Sequence, residues 1–437
     1  MSDRTFYSLD LYSKEVCEFS GLSNDFSHIS SGCAPYSIRG SGNSITGASF
    51  GHRTTVLHLE PEESHMDLDL EQNRLTVSAS LTVRQIYNYL VEKGYTLTGL
   101  PSYPDVTIGG CIAANVHGQN HYGEGNFKKN IIDLTIFHPK YGHKLISPHD
   151  STKVFDLTVG GFGLTGIIIQ ATLRVIPIQS NILECRCRKF ESLFDGYQML
   201  VSDSNGYNYF HSWADLTNLG KEGEKGFYYA AKYVAYKKIV GNYLKPDWQR
   251  RKHLAIKPNL FGSRLFRGLN KLYYFTNTRA VNKISVLSEF IFPSRSRLWY
   301  FSMFGSRGLI EHQVLIPHQS VEVYLKALRT ILRKWNPLIS LCHLKLFRGK
   351  QSLLNFDGEG LCLAIHLSNN PVSMDTLDEI DNLDVECGAI VNIIKDSRVS
   401  KDILCQQYPE YDKFVRRIDD YDKDRIFQNT ISQKLFV

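Results

Sequence analysis

The glycine-rich segments in the first half of the chain contain the residues that could bind a large, flat ligand. The central segment, residues 107–127, has the pair Gly109-Gly110, then two alanines, then His117 beside Gly118. Because glycine has no Cβ, the backbone of such a segment can lie directly against a ligand. Taken alone, the segment leaves a ligand site and a plain glycine-rich turn equally open.

Two further glycine clusters flank the central one. Residues 39–47 form a loop whose backbone N–H groups are suited to a pyrophosphate, and residues 159–169 run from glycines into a β-branched strand. The first loop is not a Walker loop, because no Gly-Lys-Ser/Thr follows it. It also lacks the Gly-x-Gly-x-x-Gly sequence that opens a Rossmann helix.

Composition bounds the class of protein. A chain of 437 residues suits two domains, and 43% hydrophobic with 22% charged residues is typical of a soluble globular protein. A net charge of +6 is mild for this length, so we expect no nucleic-acid partner. Nine scattered cysteines favour free thiols in a reducing compartment, and no Cys/His set with metal-ligand spacing accompanies them, so we expect no metal site.

The length and position of the apolar segments predict where the protein is located. Residues 1–24 are polar and lack the apolar core of a secretory signal. No apolar run approaches the roughly 20 residues needed to span a bilayer. We therefore expect a cytoplasmic protein, attached at most to the inner face of the membrane.

The elements that must position these segments alternate between strands and helices. Residues 54–59 and 74–79 are strand-like, and the capping box Thr82-Val83-Arg84-Gln85 predicts a helix that ends at Gly94. Residues 131–146 predict a hairpin. Together these elements indicate a first domain of mixed strands and helices.

The second half of the chain has a different character. Strands such as 227–233 and helices such as 321–334 predict a second, mostly antiparallel α+β domain that covers the first. Residues 389–398 read as an apolar strand ending in charge, with Lys395 at its end. The final segment, 413–435, reads as helical and is expected to return to the first domain.

The three glycine clusters resemble the FAD-binding half of the PCMH-type flavoproteins, the superfamily of vanillyl-alcohol oxidase. In that superfamily the first loop holds the pyrophosphate of FAD and the other two clusters line the flavin. Over nearly its whole length the chain resembles more closely the decaprenylphosphoryl-β-D-ribose 2′-oxidase family. The segments that carry this closer resemblance are 109–121, 159–168, 312–317, 344–347 and 395–398.

The resemblance implies a two-domain α+β architecture. A PCMH-type FAD-binding domain is expected at residues 1–178, an antiparallel-sheet cap domain for the substrate at 179–389, and a C-terminal segment at 390–437 that rejoins the FAD domain. The implied cofactor-binding residues are Arg39, Gly40, Ser41, Gly42, Asn43, Ser44, Ile45, Ser102, Thr107, Ile108, Gly109, Gly110, Ala114, His117, Ile167 and Asn392.

The resemblance also implies an FAD-dependent oxidation of a secondary alcohol. It points to the 2′-hydroxyl of a polyprenyl-phosphate-linked pentose, with hydride transfer to flavin N5 and a reductase partner that completes an epimerisation for cell-envelope polysaccharide. Two alternatives stay open. One is an aldonolactone or free-sugar oxidase of the same superfamily, and the other is a catalytically silent carbohydrate- or lipid-binding protein.

Lys395 and His117 are the candidate catalytic residues. Alcohol oxidation needs a base for the hydroxyl proton and a cation near the developing alkoxide, and Lys395 suits either role. Without the resemblance, Lys395 would be read as a surface lysine. His117 could contact the flavin or the substrate, or simply satisfy a backbone carbonyl.

The substrate-binding residues are implied by the resemblance together with their chemistry. Gln313 can donate to and accept from sugar hydroxyls, and Lys345 supplies charge to a phosphate. Trp213 and Phe347 are equally well explained as core aromatics, and Cys362 as a small buried residue. The full implied set is Trp213, Gln313, Lys345, Phe347, Cys362 and Lys395.

Departures from the resembled families qualify two of these expectations. Asn43 stands where covalent flavoproteins of the superfamily often carry histidine, so we expect FAD to be bound without a covalent link. Ile45 and Phe304 stand where the ribose oxidase has tyrosines, and Gly360 where it has asparagine. The loss at Gly360 would remove a side chain from the predicted pocket, which puts the identity of the sugar in doubt.

A basic and aromatic segment, Lys245–Arg279, is the candidate for membrane contact. It carries nine Lys and Arg residues against Asp247, with leucines and aromatic residues interleaved. Such a mixture can lie in an anionic membrane interface, at about 1 kcal/mol per basic residue. A basic flap over the pocket is an equally good reading.

Overall fold

A computed structural model of the chain describes residues 2–22, 26, 29, 35–60, 66–178, 180–217, 219, 224–234, 263–279, 281–294, 300–301 and 303–436. Helices and largely antiparallel sheets are both present, which confirms the α+β class. The domain boundaries at 178 and 389 remain predictions. In the described part of the chain, no helix combines the length and apolarity needed to cross a membrane.

Two sheets and four short helices form the first part of the chain. One sheet has the order β1 (Ser2–Tyr7), β2 (Lys14–Leu22), β4 (Thr55–Leu59), β3 (Tyr36–Arg39), with β2 and β3 both parallel to β4. The other is antiparallel, in the order β5 (Met66–Asp69), β6 (Arg74–Ser78), β10 (Ile167–Arg174), β8 (Ile131–His138), β9 (Gly142–Ile146). A separate pair joins β7 (Tyr95–Thr96) to β11 (Ile176–Pro177). The helices are α1 (Val83–Val91), α2 (Ile108–Ala113), α3 (His121–Glu124) and α4 (Val154–Thr158).

Local sequence signals account for α1 and for the β8–β9 hairpin. The Thr82 hydroxyl accepts from the backbone N–H of Gln85, and the Gln85 side chain accepts from the backbone N–H of Thr82, as the capping box predicts. The helical period places the apolar residues of α1 against the core. Residues 139–141 connect β8 to β9, and Gly142 begins β9 at a positive φ of 66°, as expected of a hairpin around Tyr141 and Gly142.

The second part of the chain is built on one large antiparallel sheet. Its strands lie in the order β15 (Asn282–Val286), β12 (Ile182–Phe190), β14 (Gly226–Tyr233), β13 (Tyr209–Ala214), β17 (Ile339–Phe347), β18 (Gly360–Ser368), β16 (Leu309–Pro317), β19 (Ile390–Val391). Its helices are α5 (Leu193–Asp203), α6 (Ser263–Asn277), α7 (Leu287–Ile291), α8 (Val321–Trp335) and α9 (Pro371–Glu386).

Alternation along the strands divides this sheet into an apolar face and a polar face. On β17, Cys342, Leu344 and Leu346 join the core that α5, α8 and α9 cover. His343 and Lys345 lie between them and project to the opposite face, because successive side chains of a strand alternate. The sheet therefore presents a row of polar groups away from its helices.

The prediction of a strand at residues 389–398 is wrong after Val391. Only Ile390–Val391 pair, with β16, and the chain then turns. The carbonyl of Asn392 accepts from the backbone N–H groups of Lys395 and Asp396, and its side-chain oxygen accepts from that of Ile394. Asparagine commonly initiates such turns. Lys395 thus lies in a turn after the sheet rather than at the end of a strand.

The predicted final helix at 413–435 is two helices, α11 (Tyr411–Tyr421) and α12 (Thr430–Leu435), which follow α10 (Lys401–Gln407). The break is specified locally: the Asp422 carboxylate accepts from the backbone N–H of Phe427, and Asn429 caps α12. Between the two helices, the backbone of residues 426 and 428 hydrogen-bonds to Tyr36 in the first sheet.

Candidate functional site

One cavity of about 890 Å³ lies between the glycine loops of the first part and the polar face of the large sheet. A volume of this order is typical of sites for cofactors and their substrates. The structure brings most of the predicted site residues to its wall. Those that line the cavity are Arg39, Gly40, Ser41, Gly42, Asn43, Ser44, Ile45, Ser102, Thr107, Gly109, Gly110, Ala114, His117, Trp213, Gln313, Lys345, Asn392 and Lys395.

The loop at residues 39–45 is a cradle that admits little besides glycine at two positions. A Cβ on Gly40 would lie 2.3 Å from Thr107 Oγ1. Gly42 has a φ of 69°, and a Cβ there would lie 2.1 Å from Arg39 Nη2. The bare backbone therefore faces the cavity, as an extended ligand such as the diphosphate of FAD requires.

Polar side chains beside this loop complete the cradle. Arg39 donates to Ser49 Oγ at 3.0 Å, and burial lowers the pKa of its guanidinium, which still remains positively charged. Asn43 donates to the carbonyl of Asp105 at 2.8 Å, which fixes its side chain against the next loop. The donor set thus combines a cation with backbone N–H groups, the chemistry that a diphosphate needs.

Gln313 is the centre of the polar group at the sheet end of the cavity. His117 Nε2 lies 3.2 Å from Gln313 Oε1, and Asn392 Nδ2 donates to the same oxygen at 2.6 Å. Burial and the nearby Lys345 charge hold the pKa of His117 well below its ordinary value, so its ring is neutral. With its oxygen accepting from Asn392, Gln313 offers its NH₂ group to a ligand.

Lys345 is buried in the same wall. Its ammonium lies 3.4 Å from the carbonyl oxygen of Gly118, and burial lowers its pKa to about 8. Near neutral pH Lys345 therefore remains mostly charged. An anionic group entering the cavity would meet a desolvated cation, whose attraction is stronger than in water.

Lys395 forms an ion pair with a residue that was not predicted. Its Nζ lies 3.2 Å from Oε1 of Glu311, whose side chain is 4% exposed, whereas the Lys395 side chain is 23% exposed. Oε2 of Glu311 lies 3.5 Å from Nε2 of His366. His366 Nδ1 lies 3.0 Å from the Tyr300 hydroxyl, which in turn is 2.6 Å from Oγ of Ser340. Lys395 is therefore not a solvated surface lysine.

Four predicted site residues have side chains behind the cavity wall. Ile108 and Ile167 are fully buried in apolar clusters. Phe347 stacks on His121 with ring centroids 3.7 Å apart. Cys362 packs with Phe347, and burial raises the pKa of its thiol to about 12. These four support the residues that face the ligand.

Gly360 also differs from the expectation. It does not line the cavity, and a Cβ there would lie 2.0 Å from the backbone oxygen of Ile316. Close pairing of β16 with β18 therefore requires glycine at this position. Its difference from the resembled family does not remove a group from this cavity.

Several cavity residues escaped the reasoning from sequence. His211, Glu311, His343 and His366 all line the cavity, as do Tyr300 and Ser340. The signal that could have found three of them is the two-residue spacing of strands: His211 precedes Trp213, Glu311 precedes Gln313, and His343 precedes Lys345. Burial, with the nearby Lys345 charge, lowers the pKa of His211 to about 4 and that of His343 well below its ordinary value.

Comparisons with known proteins agree with this geometry. Residues 30–142 match a family described as FAD binding domain. Over 382 residues the chain is 25% identical to the decaprenylphosphoryl-beta-D-ribose oxidase of Mycolicibacterium smegmatis, covering 84% of this chain and 82% of that protein.

Sugar-lactone enzymes match a shorter part of the chain. Identity is 28% over 149 residues with the D-arabinono-1,4-lactone oxidase of Eremothecium gossypii, covering 34% of this chain and 27% of that protein. It is 24% over 172 residues with the mitochondrial L-galactono-1,4-lactone dehydrogenase of Brassica oleracea, covering 39% and 28%. The chain thus spans less than a third of these two proteins' length.

Proposed function

We propose that the chain is a flavoprotein oxidoreductase with a PCMH-type FAD-binding domain and that it oxidises the 2′-hydroxyl of a polyprenyl-phosphate-linked pentose. The observation that carries the proposal is the juxtaposition, in one cavity, of the glycine cradle at residues 39–45 with Gln313 and Lys345 on the sheet and Lys395 in the turn after it. Similarity to the ribose oxidase covers 84% of the chain, whereas similarity to the lactone oxidase of Eremothecium gossypii covers 34% of it.

The cradle is the part of the chain that would hold FAD. Arg39 and the backbone of residues 40–44 suit its diphosphate, and residues 109–114 with His117 suit its ring system. When bound, FAD supplies a hydride acceptor at its N5 position. The amide side chain of Asn43 is not the nucleophilic imidazole of covalent flavoproteins, so we propose that the cofactor dissociates intact.

The sheet residues would bind and orient the substrate. Gln313 donates to a sugar hydroxyl, and Lys345 contacts the phosphate. The Lys395 ammonium, fixed by Glu311, lies where it can stabilise the oxygen of the alcohol as negative charge develops on it. His117 is neutral and holds Gln313 in position, which makes it an orienting residue in this proposal rather than a base.

The apolar rim of the cavity favours a lipid-linked sugar over a free one. Leu269, Leu272 and Tyr273 of α6 line the cavity, and their side chains are also exposed to solvent. A polyprenyl chain leaving the site would cover this apolar surface. Such a substrate is consistent with a reductase partner that acts on the ketone product, and with contact at the inner face of a membrane.

Rapid mixing under anaerobic conditions tests the proposal. The FAD-loaded protein is mixed with a polyprenyl-phosphate pentose, with free pentoses and with aldonolactones, and flavin bleaching is followed. We expect the lipid-linked sugar to reduce the flavin fastest. Faster reduction by a free sugar or a lactone would instead establish the alternative oxidase function, and lack of reduction by any of them would favour a binding protein.

Lys395→Ala tests the residue on which the chemistry depends. We expect it to retain FAD while flavin reduction slows by about 10²–10⁴-fold, the usual range for a lost proton-transfer or charge-stabilising group. Lys350→Ala is a matched control, because that lysine is exposed just beyond the end of β17. Flavin reduction at the wild-type rate in Lys395→Ala would show that Lys395 has only a structural role.

A further inference from the structure

We propose that Glu311 is the acceptor of the substrate's hydroxyl proton, which reaches it through Lys395 and leaves it through His366. The inference rests on the proposed alcohol oxidation, since only that reaction releases such a proton. Glu311 is the one carboxylate among the described residues that line the cavity. It lies on β16 two residues before Gln313, so both side chains project from the same face of the strand.

The ion pair excludes Lys395 as the final resting place of the proton. An ammonium beside a carboxylate has three N–H donors and no lone pair, so it cannot accept a proton without giving one away. The Glu311 carboxylate, 3.2 Å from Lys395 Nζ, is the group that can take that proton. Lys395 is then the relay that also stabilises the alkoxide, and Glu311 is the base.

The step balances as follows. The substrate O–H bond breaks and its proton bonds to Lys395 Nζ, while one of the original Lys395 protons moves to Oε2 of Glu311, which lies 3.4 Å from Nζ and also faces His366. Lys395 remains an ammonium and Glu311 becomes a neutral carboxylic acid. The C–H bond electrons leave as the hydride that the proposed function already assigns to the flavin.

Hydrogen-bond directions beyond Glu311 point to an exit for the proton. Ser340 Oγ donates to the carbonyl of His366, so it accepts from the Tyr300 hydroxyl. That hydroxyl in turn accepts from His366 Nδ1. A neutral His366 with its hydrogen on Nδ1 has its lone pair on Nε2, which lies 3.5 Å from Oε2 of Glu311. His366 is thus ready to take the proton from Glu311.

The charged and neutral groups around Glu311 favour transfer of the proton from Glu311 to His366. Besides Lys395 and His366, the titratable groups near Glu311 include Lys345 and His343 on β17, Cys362 on β18, and Tyr300. Burial keeps His343 neutral and raises the pKa of the Tyr300 hydroxyl far above its usual range. The ammonium groups of Lys345 and Lys395 favour the carboxylate form of Glu311 before each turnover.

Glu311→Gln is the test variant, because it keeps the size of the side chain and a hydrogen-bond acceptor for Lys395 but cannot take a proton. We expect it to retain FAD and to bind substrate within a few-fold of wild type, while flavin reduction slows by about 10²–10⁴-fold. Glu359→Gln is the matched control, because Glu359 is exposed immediately before β18. It should reduce at the wild-type rate.

Two readouts separate proton transfer from a structural role. In wild type the reduction rate should rise with pH as Glu311 ionises, and in Glu311→Gln this rising limb should be absent although Lys395 is still present. In the reduced wild-type protein, infrared difference spectra should show the carbonyl band of a protonated carboxylic acid, which the variant lacks. His366→Gln should show the band but lose it more slowly after turnover.

The experiments distinguish failure of the proposed substrate from failure of the role proposed for Glu311. If a free sugar or lactone reduces the flavin and the lipid-linked pentose does not, the proposed substrate fails and the Glu311 test is run with the alcohol that works. A Glu311→Gln variant that keeps the wild-type rate and pH profile, or that changes only KM, overturns the assignment of Glu311. Failure of every alcohol to reduce the wild-type flavin overturns both.

Discussion

His312 should make the stability of the protein fall steeply between about pH 6.5 and pH 10. It lies on β16 between Glu311 and Gln313, but it projects to the helical side of the sheet. Its Nδ1 is 3.0 Å from Asp396 and its Nε2 is 3.2 Å from Asp384, all three side chains being at most 2% exposed. Burial alone would lower the pKa of His312, but these two carboxylates raise it to about 10.

The magnitude follows from the difference between the folded and unfolded pKa values. An unfolded histidine titrates at about 6.5, and one pKa unit corresponds to about 1.4 kcal/mol. A folded value of about 10 therefore corresponds to roughly 4–5 kcal/mol of stability. Because the folded pKa is the higher one, this contribution is fully present below about pH 6.5 and is lost as the pH rises to about 10.

Thermal unfolding of the FAD-loaded protein across this range is the assay. We expect His312→Gln to lower the midpoint strongly at pH 6 and much less at pH 10, because at the lower pH the variant removes the cation that lies between Asp384 and Asp396. His52→Gln serves as the control, since His52 pairs with Glu15 at the surface, where such pairs contribute little. An equal loss of stability at both pH values would refute the charged state assigned to His312.

The buried cluster of His312, Asp384 and Asp396 also links the stability of the protein to the position of Lys395 in the cavity. Arg398 donates to Asp381 at 2.6 and 2.8 Å and lies 3.3 Å from Asp396, so this network ties the turn after β19 to α9. Lys395 immediately precedes Asp396 in that turn. His312→Gln should therefore also slow flavin reduction, by displacing Lys395 from Glu311.

Three further predictions concern the cofactor, the phosphate and the membrane. Acid precipitation should release yellow FAD into the supernatant, and colour that stays with the pellet would show a covalent link despite Asn43. Lys345→Ala should chiefly raise KM if the lysine binds phosphate equally in ground and transition states, whereas Lys350→Ala should not; a fall in kcat alone would contradict this role. The basic segment Lys245–Arg279, of which residues 245–262 lie outside the described part, should co-sediment the protein with anionic vesicles in a salt-sensitive manner. Sedimentation that ignores lipid charge and salt would rule this out.

Features encoded by neighbouring residues were predictable from the sequence. The capping box of α1 and the β8–β9 hairpin depend on contacts within a few positions, and the structure has both. The strand at β14 and the helical period of α8 are equally local. These signals establish the classes of element and the half of the chain that suits FAD.

Features that depend on distant residues were not predictable in the same way. The partner of Lys395 lies 84 residues earlier in the chain, and His366 reaches Glu311 only because β18 pairs with β16. The turn at Asn392 was missed because the apolar residues around it suit a strand, and apolar periodicity does not report side-chain-to-backbone hydrogen bonds. Phe347 and Cys362 lie on the same face of the sheet as Lys345 but pack with Phe356 outside the lining of the cavity, which resemblance alone does not give.

Substitutions on the cavity wall explain why the sugar was the hardest feature to infer. Ile45 and Phe304, which stand where the resembled family has tyrosines, pack with Phe301 and Leu309 in one apolar cluster. The hydroxyl in this region belongs to Tyr300, whose ring centroid lies 5.3 Å from that of Phe304 and whose OH group is directed into the His366 network. Near the first loop the cavity wall therefore contributes an apolar shape to which a ligand must fit, whereas the sheet contributes hydrogen bonds and charge. Selectivity among sugars should accordingly follow the sheet residues, where this chain places three cavity histidines (His211, His343 and His366) and its cavity carboxylate, rather than the glycine loops.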